Sequence, residues 1–329
     1  MSRRWAWWTA GGLLVVVLLA FGAWRLSREI PDQLRKAEEA IRKEAARVGL
    51  RVSYRNLRIH FFYPRVSMDN LAVVDEGPGI EVLRAESVDV SLSPGRLLSG
   101  ESPVSRIRLR KFALHAEEAN RPLFDRMRAG KRTGPMPEIL LLGGIVRLGP
   151  FGPLRWWEAK IPEMRLREVK FLGTRLSLSA EDAKGEIDLP GAVPSKWPFG
   201  SLEADLYDQE GVFRIRRIRA TGDTAIVRIS GSVDPARKSG DVKLSGGIDV
   251  ARWISAGAPF SPWLGRVAEK GNVDFSAALA GSLEDPTGSG KLILRNGRIR
   301  GNSAAEAELV ATVSKKKIRV ETLKGKLLG

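Results

Sequence analysis

The chain has no cysteine, which excludes a disulfide framework, a thiolate metal site and a cysteine nucleophile. Histidine is nearly absent: His60 and His115 are the only two, each in a run that reads as a strand. A histidine-built metal centre or a Ser-His-Asp relay therefore lacks its raw material. Acidic residues are outnumbered, with Asp+Glu 38 against Lys+Arg 54 and a net charge of +16 over 329 residues. The basic runs, such as Arg214, Arg216, Arg217 and Arg219, lack interleaved aromatics and any recognition motif, so nucleic acid is not an expected partner. A solvated face, or a basic wall attracting anionic headgroups, fits them better. No carboxylate pair or nucleophile motif stands out either, so the expectation is no enzyme, no cofactor and no metal.

One stretch imitates a phosphate loop. Gly288-Ser289-Gly290-Lys291 has the glycines and the lysine, but Asp285 stands where a P-loop needs its first glycine. Leu292 stands where a magnesium-holding hydroxyl belongs. The segment instead suggests a turn at a strand edge, and Asn296-Gly297 suggests a type I′ hairpin turn.

What is present begins with an apolar run. Trp5 to Trp24 is twenty residues without a charge. As a helix it spans about 30 Å, the thickness of a hydrocarbon core. Trp5 and Trp24 mark its ends, with Arg3, Arg4 and Arg25 just outside. A cleaved signal peptide, cut near Ala20-Phe21-Gly22, is the competing reading; its apolar run would usually be shorter. Residues 1–28 are thus expected to be a transmembrane anchor, although arginines at both ends leave its orientation open. Residues 29–49 read as an amphipathic helix, with Pro31 in its first turn and Gly49 beyond its last. Leu34, Ala37, Ile41, Ala45 and Val48 form its apolar stripe.

From residue 50 the period falls from 3.6 to 2 and remains there through 329. Val88, Val90 and Leu92 alternate with Asp89 and Ser91; Ile107 and Leu109 alternate with arginines. The same holds for Val227 with Ile229, Val242 with Leu244, and Leu292 with Leu294. It holds again for Val273, Phe275 and Leu279. Such runs are half-buried antiparallel strands. Residues 117–138 read as an exposed irregular loop between strands 50–116 and 139–329, and 249–268 as a helical insert. About sixteen strands each present an apolar face with few helices to cover them, so the sheet must cover itself as a sandwich, a barrel or a long curled trough. A trough needs something apolar inside it, and acyl chains would serve.

The opening of this β region resembles AsmA-like proteins of double-membraned bacteria. The likeness rests on Asp69-Asn70-Leu71 with Asp75, Ala85-Glu86-Ser87-Val88, Leu97-Leu98-Ser99-Gly100 and Ile107-Arg108-Leu109. A later phrase, "GSLEDPTGSGKLILRNGRIRG", is similar to one common in AsmA and TamB-type chains. The likeness covers roughly 5–115 and 200–329; 117–165 carries no matching phrase. It implies a mainly β, elongated, curled antiparallel sheet (the β-taco) with a U-shaped apolar groove. It also implies a single-pass inner-membrane anchor, a periplasmic body and phospholipid as cargo, moved between inner and outer membranes. The alternating apolar residues named above would line that groove. An outer-membrane or envelope protein would be the partner, and the chain is expected to be a fragment of a longer one. The alternative is a structural assembly factor with a closed β scaffold.

Overall fold

The computed structural model describes residues 49–60, 65–93, 104–120, 136–150, 154–169, 173–188, 195–258, 268–282, 285–299, 302–314 and 317–327, together with 39, 42, 43, 45–47, 122, 123 and 265. The protein is mainly β. Seventeen strands lie among the described residues, in one large, mixed, mostly antiparallel sheet. Trp5–Trp24 falls outside the described residues, among which no helix is long and apolar enough to cross a membrane. Of the expected amphipathic helix, residues 39, 42, 43 and 45–47 are described and helical, and Ala45 of its apolar stripe is buried.

The chain divides into two compact units. The first holds β1 (Leu50–Ser53), β2 (Asn56–His60), β3 (Arg65–Asp75), β4 (Ile80–Leu92), β5 (Val104–Ala116) and β6 (Glu138–Leu148). Both β1 and β2 pair with β3, which pairs onward to β4 and β5; β6 lies parallel to β5. The strands β7 (Leu154–Val169) and β8 (Gly173–Ile187) contribute residues to both units. The second holds β9 (Ser195–Lys196), β10 (Ser201–Gln209), β11 (Val212–Thr221), β12 (Ala225–Asp234) and β13 (Ser239–Asp249). It continues with α1 (Val250–Ser255), β14 (Lys270–Ser282), β15 (Pro286–Ile299), β16 (Asn302–Ser314) and β17 (Lys317–Leu327). From β10 to β17 each strand pairs antiparallel with the next.

In the first unit the alternation slips by one residue in every long strand. The buried apolar positions run Val66, Met68, Leu71, Val73 in β3 and Val90, Val88, Ala85, Leu83 in β4. They run Ile107, Leu109, Phe112, Leu114 in β5 and Ile139, Leu141, Gly144, Val146 in β6. The slips lie side by side, because Asp69, Ser87, Arg110 and Leu142 are consecutive cross-strand partners. At that level Asn70, Lys111 and Gly143 adopt positive φ (51°, 47° and 61°), so β3, β5 and β6 each insert an extra residue without turning the apolar face outward. Lys111 binds Glu86 at 2.8 Å across the same line. The strands β7 and β8 carry the same break, Ile161 to Met164 and Ala180 to Ala183.

Gly144 marks where this line is tightest: a Cβ built there would overlap the Phe112 ring. Gly144→Ala is expected to cost about 1–3 kcal/mol by overpacking. Urea denaturation would show the loss, and Phe112→Leu in the same chain should recover part of it. A Gly144→Ala midpoint equal to wild type would mean that the ring moves freely.

Three expectations need correction. Gly288–Lys291 is no turn: it lies inside β15, with Gly288 opposite Leu279 and Lys291 opposite Ser276. Both glycines lie on the apolar face, and Gly288 fits because a Cβ there would overlap the Ala278 carbonyl of β14. Asn296-Gly297 is no hairpin turn either, since β15 runs on to Ile299. The positive φ of Asn296 (50°) is spent on an irregularity opposite Gly271, and Leu294 folds over Gly297. The described part of 117–138 is exposed at Glu118, Ala119 and Pro122, but not throughout. Asn120 is buried and donates from Nδ2 to Asp75 at 3.2 Å, fixing the 3-10 turn Glu118–Asn120, and Leu123 and Met136 are buried too.

Candidate functional site

Strand register in the second unit assembles an apolar surface residue by residue. Partners directly opposite one another share a face of the sheet, and residues two apart along a strand share it again. One row across eight strands reads Leu202, Ala220, Val227, Gly246, Phe275, Leu292, Leu309 and Leu323. The next reads Ala204, Ile218, Ile229, Leu244, Ala277, Gly290, Ala311 and Val320. A third reads Leu206, Ile215, Gly231, Val242, Leu279, Gly288, Val313 and Ile318. None of these positions carries a polar side chain.

Two bulges keep the rows in phase. In β11 the apolar residues fall at 213, 215, 218 and 220, which strict alternation would send to opposite faces. The register shift between Ile215 and Ile218 places Arg216 and Arg217 together on the other face, where they reach Asp205 (3.5 Å) and Glu203 (3.3 Å). In β17 the shift between Val320 and Thr322 does the same for Glu321, which accepts a hydrogen bond from the Thr312 hydroxyl at 2.9 Å. An extra residue in the strand is absorbed each time on the charged side.

Within the unit, α1 and its flanks pack on one end of the apolar surface. Asp249 caps the helix, its carboxylate accepting from the Arg252 N–H at 3.1 Å. Val250 and Ala268 cluster with Val273 and Leu294; Trp253 and Ala258 cluster with Ala225, Phe199 and Ile248. The helical insert expected over 249–268 thus contains a short helix, with Gly265 again helical. Beyond that end the rows stay half-buried, and on β17 Ile318, Val320 and Leu323 are 74 %, 55 % and 72 % exposed. Measured centre to centre, eight strands span about 34 Å and three rows about 14 Å, a face on the order of 500 Å². That is near the upper end of what a monomeric soluble protein leaves exposed, and such patches usually bind something.

The expected groove residues separate into three groups. Val227, Ile229, Val242, Leu244, Phe275, Leu279 and Leu292 lie on the open rows. Val273 and Leu294 share that face but are buried under α1. The first-unit residues Val88, Val90, Ile107 and Leu109 are 0 % exposed and belong to a packed core; Leu92 is half-buried at the strand end. They offer no open surface, so the candidate site is confined to the second unit. Sequence alternation missed Leu202, Ala204 and Leu206 although β10 alternates plainly, and missed Ile215 and Ile218 because the doubled arginines interrupt the pattern. Among the described residues no group of histidines and carboxylates is arranged to hold a metal. No protein-family model matches the chain, and no curated protein matches it by sequence.

Proposed function

We propose that the open face of β10–β17 carries phospholipid acyl chains. On this reading the chain is a membrane-anchored lipid-transfer or bridging protein moving phospholipid between inner and outer membranes along an apolar groove. The observation that carries the proposal is the uncharged, uncovered face of three rows across eight strands. Each methylene sheltered there gains roughly 0.8 kcal/mol over water. A bilayer shelters it equally well, so exchange between the two costs little, which suits a track rather than a trap. Trp5–Trp24 would be the single-pass inner-membrane anchor, with the bulk of the chain periplasmic and an envelope protein as the outer partner. The U-shaped β-taco belongs to the same reading, carried by the AsmA-like phrases. The closed core of the first unit favours a second reading for that part, a scaffold that docks an assembly partner.

Photo-crosslinkers at Leu244 and Leu309 are expected to capture lipid from the detergent-extracted full chain, and those at Asp274 and Thr312, on the opposite face, are not. Mass spectrometry of the adducts reads the result. Equal capture from both faces, or none at Leu244 and Leu309, would overturn the proposal.

A further inference from the structure

The other face of the same meander holds a depression of about 650 Å³, within the size range of small-ligand sites. Arg216, Arg217, Arg228, Lys243 and Lys291 line it, together with Val310 and with Ile229, Leu244, Ala277 and Gly290 of the apolar row behind it. Three of these have carboxylate partners: Asp205 for Arg216, Glu203 for Arg217 and Glu308 for Lys291. Arg228 and Lys243 have no such partner among the described residues. Arg228 also stands directly opposite Arg219 of β11, whose Nε is buried with no hydrogen-bond partner. Like charges set directly across two strands destabilise the pair unless something between them is negative.

The floor is as telling as the rim. Ser230, Ser245, Ser276 and Ser289 line the depression, and none of their hydroxyls has a hydrogen-bond partner among the described residues. Hydroxyl donors ringed by guanidinium and ammonium groups are the donor set of a phosphate oxyanion, and guanidinium binds it through two parallel N–H groups. A carboxylate ligand would use the arginines but leave most of the hydroxyls idle.

We propose that this depression binds a phosphate-bearing anion, with Arg228 and Lys243 as principal cations and the four serines as hydroxyl donors. The site does not depend on acyl chains occupying the opposite face. A lipid headgroup and a soluble phosphate compound share this chemistry, and the test separates them.

The test uses full-length protein in neutral detergent at low salt. Inorganic pyrophosphate is titrated calorimetrically, then short-chain phosphatidic acid below its micellar concentration. Wild type is expected to bind pyrophosphate, and Arg228→Ala with Lys243→Ala to weaken binding at least about tenfold, as loss of charge-assisted hydrogen bonds should. Arg228→Lys should retain part of it, and Arg84→Ala, in the first unit, all of it. Without anion the double variant should melt no lower than wild type, because it relieves the Arg219–Arg228 repulsion. Tighter, pyrophosphate-competitive binding of phosphatidic acid assigns the site to headgroups; pyrophosphate binding alone assigns it to soluble phosphates. No pyrophosphate binding by wild type, or a loss in the double variant no greater than that of Arg84→Ala, overturns the proposal and leaves a solvated basic face.

Discussion

Val90→Asp is expected to unfold the first unit, whereas Leu244→Asp should leave the second folded and empty of lipid. Val90 is 0 % exposed, with the apolar Val66 and Ile107 directly opposite it on the two neighbouring strands. Burying an unpaired charge there costs several kcal/mol, comparable to the whole stability of many domains. Leu244 lies on a half-buried row where water reaches a carboxylate, so the charge is hydrated while the apolar track is interrupted. Amide hydrogen exchange distinguishes the outcomes: protection should vanish from β3–β5 in the first variant and persist in β12–β15 in the second. Protected β3–β5 amides in Val90→Asp would mean that the first unit also has an open apolar face.

The second large effect is expected at Trp253. Its side chain is 8 % exposed, packed edge-on to Phe199 with ring centroids 6.2 Å apart and clustered with Ala225 and Ala258. Phe199 in turn meets Trp197 at 5.6 Å. Trp253→Ala should cost about 3–5 kcal/mol through lost burial and the cavity left behind. It should also strip cover from Ile248, so binding of a hydrophobic dye should rise as the melting temperature falls. Loss of stability without added dye binding would mean that neighbouring loops close over the gap.

The alternation in the middle of β12 to β15 is legible because no bulge falls there: Val227, Leu244, Phe275 and Leu292 each keep period 2 with their apolar neighbours along the strand. In β4 and β5 the same reading ended early. Val88–Leu92 and Ile107–Leu109 are halves of longer strands whose other halves, around Ala85 and Phe112, lie past a bulge. A period counted along one chain cannot register a slip shared by several strands, since only the cross-strand pairing of Asp69, Ser87, Arg110 and Leu142 makes sense of it. Cover was equally invisible. Ile107 in a closed core and Ile229 on an open face both sit between polar neighbours, Arg106 and Arg108 for one and Arg228 and Ser230 for the other, and what separates them is contact made by distant residues. Asn296-Gly297 shows a third limit: the pair announces positive φ, but a turn and a bulge both use it.

The run from β10 to β17 has a further consequence. From β11 to β16 each strand pairs only with its predecessor and successor, so this part of the protein behaves as a one-dimensional polymer whose stability is largely a sum of neighbour terms. Removing the hairpin of β15 and β16 would bring β17 antiparallel against β14, with Phe275 beside Leu323 and Ala277 beside Val320. The apolar surface would be intact and shorter by about 10 Å. Adding a hairpin would lengthen it by the same step. The reach of this surface is therefore counted in hairpins, a quantity that duplication or loss of a short stretch of gene can change without redesigning any core.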